Sequence, residues 1–242
     1  MTATRVALVT GSTSGIGEAT AKKFAQAGYA VVFNSAHSVE AGQQLAATVT
    51  GAHYVQADIT QPDECARLVS EVLERCGRLD VLVNNAGATR IIRHHDLTGA
   101  TIEVWRELFE VNVFGTWSMS VAAMEALRAQ HGAIVNVSSI AGLRPTGSSI
   151  PYAASKAALN HLTVLLASVV GPEVRVNAVA PGLIDTPWTA DWDAVRTVVQ
   201  AIAPLKRSGT AHEVADVIFA LVSSSYVTGE IVTVDGGLSL AR

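Results

Sequence analysis

Short runs of Val, Ile and Leu alternate along this chain with longer stretches of helical period, and the runs lack the in-and-out polarity of a half-exposed sheet. Such strands are buried on both faces, and helices between them imply parallel pairing through right-handed crossovers. The pattern predicts an α/β domain, a doubly wound parallel sheet with helices on both sides. The expected strands are Arg5–Thr10, Ala30–Asn34, His53–Gln56, Val81–Asn84, Ala133–Val137, Arg175–Ala180 and Ile231–Val234, seven in all. Helix signals fill the gaps: Pro62-Asp63-Glu64 opens a helix that runs to Cys76 before Gly77. No linker divides the 242 residues, so one domain over 1–242 is expected, with the irregular 181–204 segment as a candidate lid.

Composition removes several function classes. The 17 Lys and Arg against 21 Asp and Glu give a net charge of -4 without a basic cluster, so neither nucleic acid nor an anionic membrane is an expected partner. No stretch approaches the roughly 18 unbroken apolar residues of a membrane span, and the opening MTATRVALVTG runs directly into a strand. A cytoplasmic location is expected. Cys65 and Cys76 fall on one predicted helix about 16 Å apart, beyond disulfide reach, which suits a reducing compartment. The histidines show no H-x-x-x-H spacing, so no metal is expected.

The first strand ends in Thr10-Gly11-Ser12-Thr13-Ser14-Gly15-Ile16-Gly17, and a helix follows at once. Glycines let the backbone turn tightly and approach a pyrophosphate, while the helix start presents free N–H groups and its positive dipole end. By itself such a loop can be an ordinary strand-to-helix turn. The spacing is G-x-x-x-G-x-G, and Thr20 stands where the G-x-G-x-x-G pattern wants its last glycine.

Further motifs follow in order. Asn84-Asn85-Ala86-Gly87 ends the fourth strand, Asn112 lies in the next helix, and Ser139 follows the fifth strand. Tyr152 and Lys156 form Y-x-x-x-K, then come Pro181-Gly182, Thr186 and Val234-Asp235-Gly236-Gly237. Together they resemble the short-chain dehydrogenase/reductase family, its 3-oxoacyl-carrier-protein reductases included, over essentially the whole chain. The resemblance implies a Rossmann-type fold, hydride exchange between a nicotinamide cofactor and a carbonyl or alcohol, and a small-molecule substrate.

Four positions apart, Tyr152 and Lys156 share a helix face. A nearby ammonium favours an ionised phenol, so the lysine is expected to lower the tyrosine's pKa. A solvated Tyr/Lys pair is the plain alternative. Adjacent serines in extended chain point to opposite sides, so only one of Ser138 and Ser139 can face a substrate, and the family spacing favours Ser139. The resemblance implies that Tyr152 moves the proton, Ser139 polarises the carbonyl, Lys156 tunes Tyr152 and holds the nicotinamide ribose, and Asn112 perturbs its helix and serves a proton relay.

Cofactor contacts implied in the same way are Gly11, Ser14, Gly15, Ile16 and Gly17 around the pyrophosphate, Asp58 and Ile59 at the adenine, and the Asn85, Ala86 and Gly87 backbone beside the adenosine ribose. Pro181, Gly182, Ile184 and Thr186 are implied at the nicotinamide. Cofactor choice is decided after the second strand, where Asn34-Ser35-Ala36-His37-Ser38 carries no acid to repel a 2′-phosphate and no arginine to attract one. Asn34, Ser35, His37 and Ser38 remain to meet it, so NADP is favoured, with NAD open. The loops 89–95, 141–150 and 183–192 are the expected pocket walls, with Arg90, Arg93, Arg144, Trp188 and Trp192 as candidates for an anionic or aromatic substrate.

Apolar residues on more than one face of the helices expected at Val104–Ala129 and Ala153–Val170, such as Trp117 and Leu166, imply self-association, and the family implies a homotetramer. Two other classes stay open: a catalytically silent nucleotide-sensing regulator on this fold, and a methyltransferase, which has no use for Y-x-x-x-K.

Overall fold

In the computed structural model the residues described are 4–241; residues 1–3 and 242, the ends of the expected 1–242 domain, lie outside them. The chain runs β1 (Val6–Val9), α1 (Gly15–Gln26), β2 (Ala30–Ser35), α2 (Val39–Ala47), β3 (Ala52–Gln56), α3 (Pro62–Cys76) and β4 (Val81–Asn84). There follow α4 (Ile102–Phe109), α5 (Thr116–Arg128), β5 (Ala133–Val137), α6 (Ile150–Val170) and β6 (Arg175–Pro181). The last elements are β7 (Ile184–Asp185), α7 (Asp193–Ile202), β8 (Gly209–Thr210), α8 (Ala211–Ser223) and β9 (Ile231–Val234).

Seven strands form one sheet in the order β3-β2-β1-β4-β5-β6-β9, every pair parallel. Side chains of β1 alternate between two cores, as strand geometry requires. Val6 and Leu8 pack toward Leu68, Met119 and Leu166, whereas Ala7 and Val9 pack toward Phe24 and Ile218. The strand order reverses between β1, which leads to β2, and β4, and ligands of open parallel sheets bind outside the carboxyl ends at such a switch point.

Three differences from the sequence reading have physical causes. The predicted helix Val104–Ala129 is broken by a π-helical turn over Glu110–Gly115. Asn112, fully buried there, accepts from the Ala88 N–H at 2.8 Å and donates to the Ala88 carbonyl at 3.0 Å, and this two-point tie to another segment accommodates an i→i+5 turn. The helix expected from Ala153 starts at Ile150, because the Ser149 hydroxyl accepts from the Tyr152 N–H and Pro151 suits the first turn. Two residue pairs, Ile184–Asp185 and Gly209–Thr210, also form a small parallel sheet, too short to leave a sequence pattern. By length and hydropathy α6 resembles a membrane span, yet Lys156, Leu159, Thr163 and Leu166 are buried within the fold.

Candidate active site

A cleft of about 1110 Å³ runs along the carboxyl ends of the central strands. Its floor at one end is the loop from β1 to α1. Gly11 and Gly15 both have φ of +58°, and a Cβ on Gly11 would lie 2.8 Å from the Ala86 Cα, so glycine is needed for conformation and for space. The loop is pinned from below. Asn85 donates to the Thr10 and Gly11 carbonyls at 2.9 and 2.8 Å, and the Thr10 hydroxyl accepts from the Asn85 and Ala86 N–H groups. At the start of α1 the Ser14 side chain makes no capping bond, which leaves the first-turn N–H groups facing the cleft for an anionic group. These features fit the pyrophosphate of a dinucleotide.

Further along, Ser139, Tyr152 and Lys156 line the same cleft. Ser139 follows β5 and accepts from the Ala141 N–H at 3.1 Å, which keeps its own proton available to donate. Ser138 turns inward, buried, and donates to the Lys156 carbonyl at 3.2 Å. Lys156 donates from Nζ to the Val137 carbonyl at 3.0 Å. Burial pulls its ammonium down to about 8.

Tyr152 departs from the sequence expectation. Desolvation pushes its phenol above the ordinary value, with the Ser139 hydroxyl pulling the other way. A lysine 5.8 Å from the ring centre and hydrogen-bonded elsewhere does not outweigh that burial. The phenol is therefore held neutral, the form that gives up a proton.

The catalytic and cofactor residues expected from the sequence line this cleft, with two exceptions. Gly17 is buried under the loop, where a side chain would collide with the Gly11 carbonyl and the Asn85 amide, so its smallness serves helix packing. Asn112 sits behind the site and joins Ala88 to the Ser155 hydroxyl, which it reaches at 2.9 Å. Asn34 reaches the cleft wall, but its amide is spent on the Val55 and Ala57 carbonyls and the Gly11 N–H. Asp58 accepts from Thr60 through one carboxylate oxygen, Oδ1. Among the arginines Arg93 lines the cleft, whereas Arg90 pairs with Glu107 at 2.6 Å and Arg144 donates to the Leu143 and Ser239 carbonyls.

The substrate end is mostly apolar, with Ile91, Ile92, Val111, Trp188 and Trp192 in its walls. Val195 and Val199 of α7 and Leu238 near the carboxyl terminus complete it. None of the three is singled out individually by the sequence, which reads as irregular over 181–204, whereas Asp193–Ile202 within it is a regular amphipathic helix, and Leu238 lies in a short turn near the carboxyl terminus.

Residues 11–239 match the protein family described as enoyl-(acyl carrier protein) reductase. The chain is 54% identical over 239 residues to "Granaticin polyketide synthase putative ketoacyl reductase 2" of Streptomyces violaceoruber, covering 97% of this chain and 96% of that one. It is 38% identical over 246 residues to a 3-oxoacyl-acyl-carrier-protein reductase of Thermotoga maritima, covering 97% of each. Its fold superposes on ElxO with NADP bound at a TM-score of 0.90 and 29% identity, over 98% of this chain and 99% of the other.

Proposed function

The chain belongs to the short-chain dehydrogenase/reductase family and is an NAD(P)-dependent oxidoreductase, and from that premise we propose that it reduces the ketone of a ketoacyl substrate, with NADP(H) preferred. The observation that carries this reading is the convergence of Ser139, a neutral Tyr152 and Lys156 on one cleft. A silent nucleotide sensor has no need of all three.

When bound, the nicotinamide cofactor supplies hydride to the carbonyl carbon. The protein's task is the oxygen. Ser139 donates a hydrogen bond to it and Tyr152 gives it a proton, so the ketone becomes an alcohol and the phenol a phenolate. Lys156, when protonated, stabilises that phenolate by its charge, and the proton is replaced from solvent. Asn112 keeps the loop after β4 at a fixed distance from α6 through Ala88 and Ser155. Gly87 lets the same loop sit close to Asn112, since a Cβ there would lie 3.2 Å from the asparagine Oδ1. The 181–204 segment, which carries the cleft residues Trp188 and Val195, acts as the lid whose closure excludes water.

The ketoacyl and 3-oxoacyl reductases among its relatives point to a ketoacyl thioester or a polyketide ketone, and the apolar cleft suits either. The matching family carries an enoyl reductase description, which defines the test. NADPH consumption should be at least about tenfold faster with a ketoacyl than with the matched enoyl thioester. Faster enoyl reduction would overturn the reading.

A further inference from the structure

We propose that Tyr54 is a positioning residue that selects the phosphorylated cofactor by acting through Ser35. The inference rests on the oxidoreductase reading above and concerns the end of the cleft beyond β2.

The two nicotinamide cofactors differ by a 2′-phosphate. Among the described residues lining the cleft the Lys and Arg side chains are Lys156, beside Tyr152, and Arg93, in the loop with Ile91 and Ile92, so the end beyond β2 has no such cation to attract the phosphate. Between Val32 and Ser38 there is no carboxylate to repel it either. Discrimination must come from neutral donors held in place. The Asn34 amide has its partners in Val55, Ala57 and Gly11, while His37 and Ser38 are exposed. Ser35 is the buried hydroxyl at this spot, and it lies 2.9 Å from the Tyr54 hydroxyl.

The Tyr54 hydroxyl has one proton and two acceptors in reach, Ser35 Oγ at 2.9 Å and the Ser35 carbonyl at 3.5 Å. A phenol is a better donor than an aliphatic alcohol and Oγ is the nearer acceptor, so Tyr54 donates to Ser35 Oγ and the Ser35 proton is free for a phosphate oxygen. A chain of donors polarised in this way strengthens its last member. Tyr54 is itself firmly set. Its ring lies on Gly42 of α2, where a Cβ would overlap the ring, so one tyrosine fixes both the end of β2 and the helix that follows. Two positions on, Gln56 donates to the Ala36 carbonyl at 2.9 Å and clamps the same turn.

Fluorescence titration of the full chain with NADPH and with NADH tests this without turnover. Tyr54→Phe keeps the ring on Gly42 and should weaken NADPH about tenfold while leaving NADH within about twofold. Ser35→Ala should do the same, the double variant should be no weaker than either single one, and Ser35→Thr should restore binding. With no lysine or arginine involved, the NADPH to NADH ratio should hold up to about 0.5 M salt. Equal weakening of both cofactors by Tyr54→Phe, no change in either, or a ratio that collapses with salt would each overturn the proposal. A wild-type preference for NADH would overturn it and leave the oxidoreductase reading standing, whereas binding of neither cofactor would remove both.

Discussion

Lys156 holds its ammonium 5.8 Å from the centre of the Tyr152 ring, in a position only 4% exposed. Burial lowers the lysine to about 8, below the roughly 10.4 of an unfolded chain, so between these values the unfolded state binds more protons. The cost of burying the charge is present in full below about pH 8 and is relieved as pH rises toward about 10.4. Tyr152, pushed up by burial, acts in the opposite sense only above about pH 10, where an unfolded phenol ionises.

The melting temperature of the cofactor-free protein should therefore rise between about pH 7.5 and 9.5 relative to Lys156→Met. Over the same range the rate of ketone reduction should fall, because a neutral amine no longer stabilises the phenolate. Differential scanning fluorimetry reads the first effect, and parallel curves for the two proteins would contradict it.

Adjacent serines separate stability from chemistry. Ser138, buried and bonded to the Lys156 carbonyl, should cost about 1 kcal/mol of stability as alanine and little activity. Ser139→Ala should lose a hundredfold or so in kcat. Denaturant melts beside initial rates distinguish the two, and the reverse order would show that the other serine serves the substrate.

The strands were legible because a parallel sheet covered on both faces leaves unbroken apolar runs. What escaped depends on partners distant in sequence. The residues Glu110–Gly115 themselves read as ordinary helix; only the family resemblance marks Asn112 as perturbing it, and the π turn appears where Asn112 meets Ala88. Asn34 reads as a polar strand end facing a ligand, yet its amide answers carbonyls more than twenty residues away. Tyr54 belongs to no motif, and its role emerges only when β3 lies beside β2. The Ser, Tyr and Lys set was readable because chemistry fixes those residue types, whereas the direction of the Tyr152 shift required its burial to be seen.

The apolar surface left uncovered predicts assembly. Phe114, Trp117 and Val121 stand exposed on α5 and the turn before it, as do Leu165 and Val169 on α6, with Trp117 at 47% and Val169 at 71% exposure. Large exposed apolar patches mark association surfaces. Light scattering at micromolar concentration should give a homotetramer of the 25.3 kDa chain, and Trp117→Glu with Val169→Glu should reduce it to smaller species. A monomeric wild type would contradict this.

Tyr152 is the central claim, and one variant tests it most directly. Tyr152→Phe removes a single oxygen from the cleft and leaves the ring in place. With a ketoacyl thioester and NADPH, its single-turnover rate should fall by at least about a hundredfold. Its NADPH dissociation constant, titrated on the same sample, should stay within about threefold of wild type. A rate near wild type would show that the proton comes from elsewhere and would contradict the account.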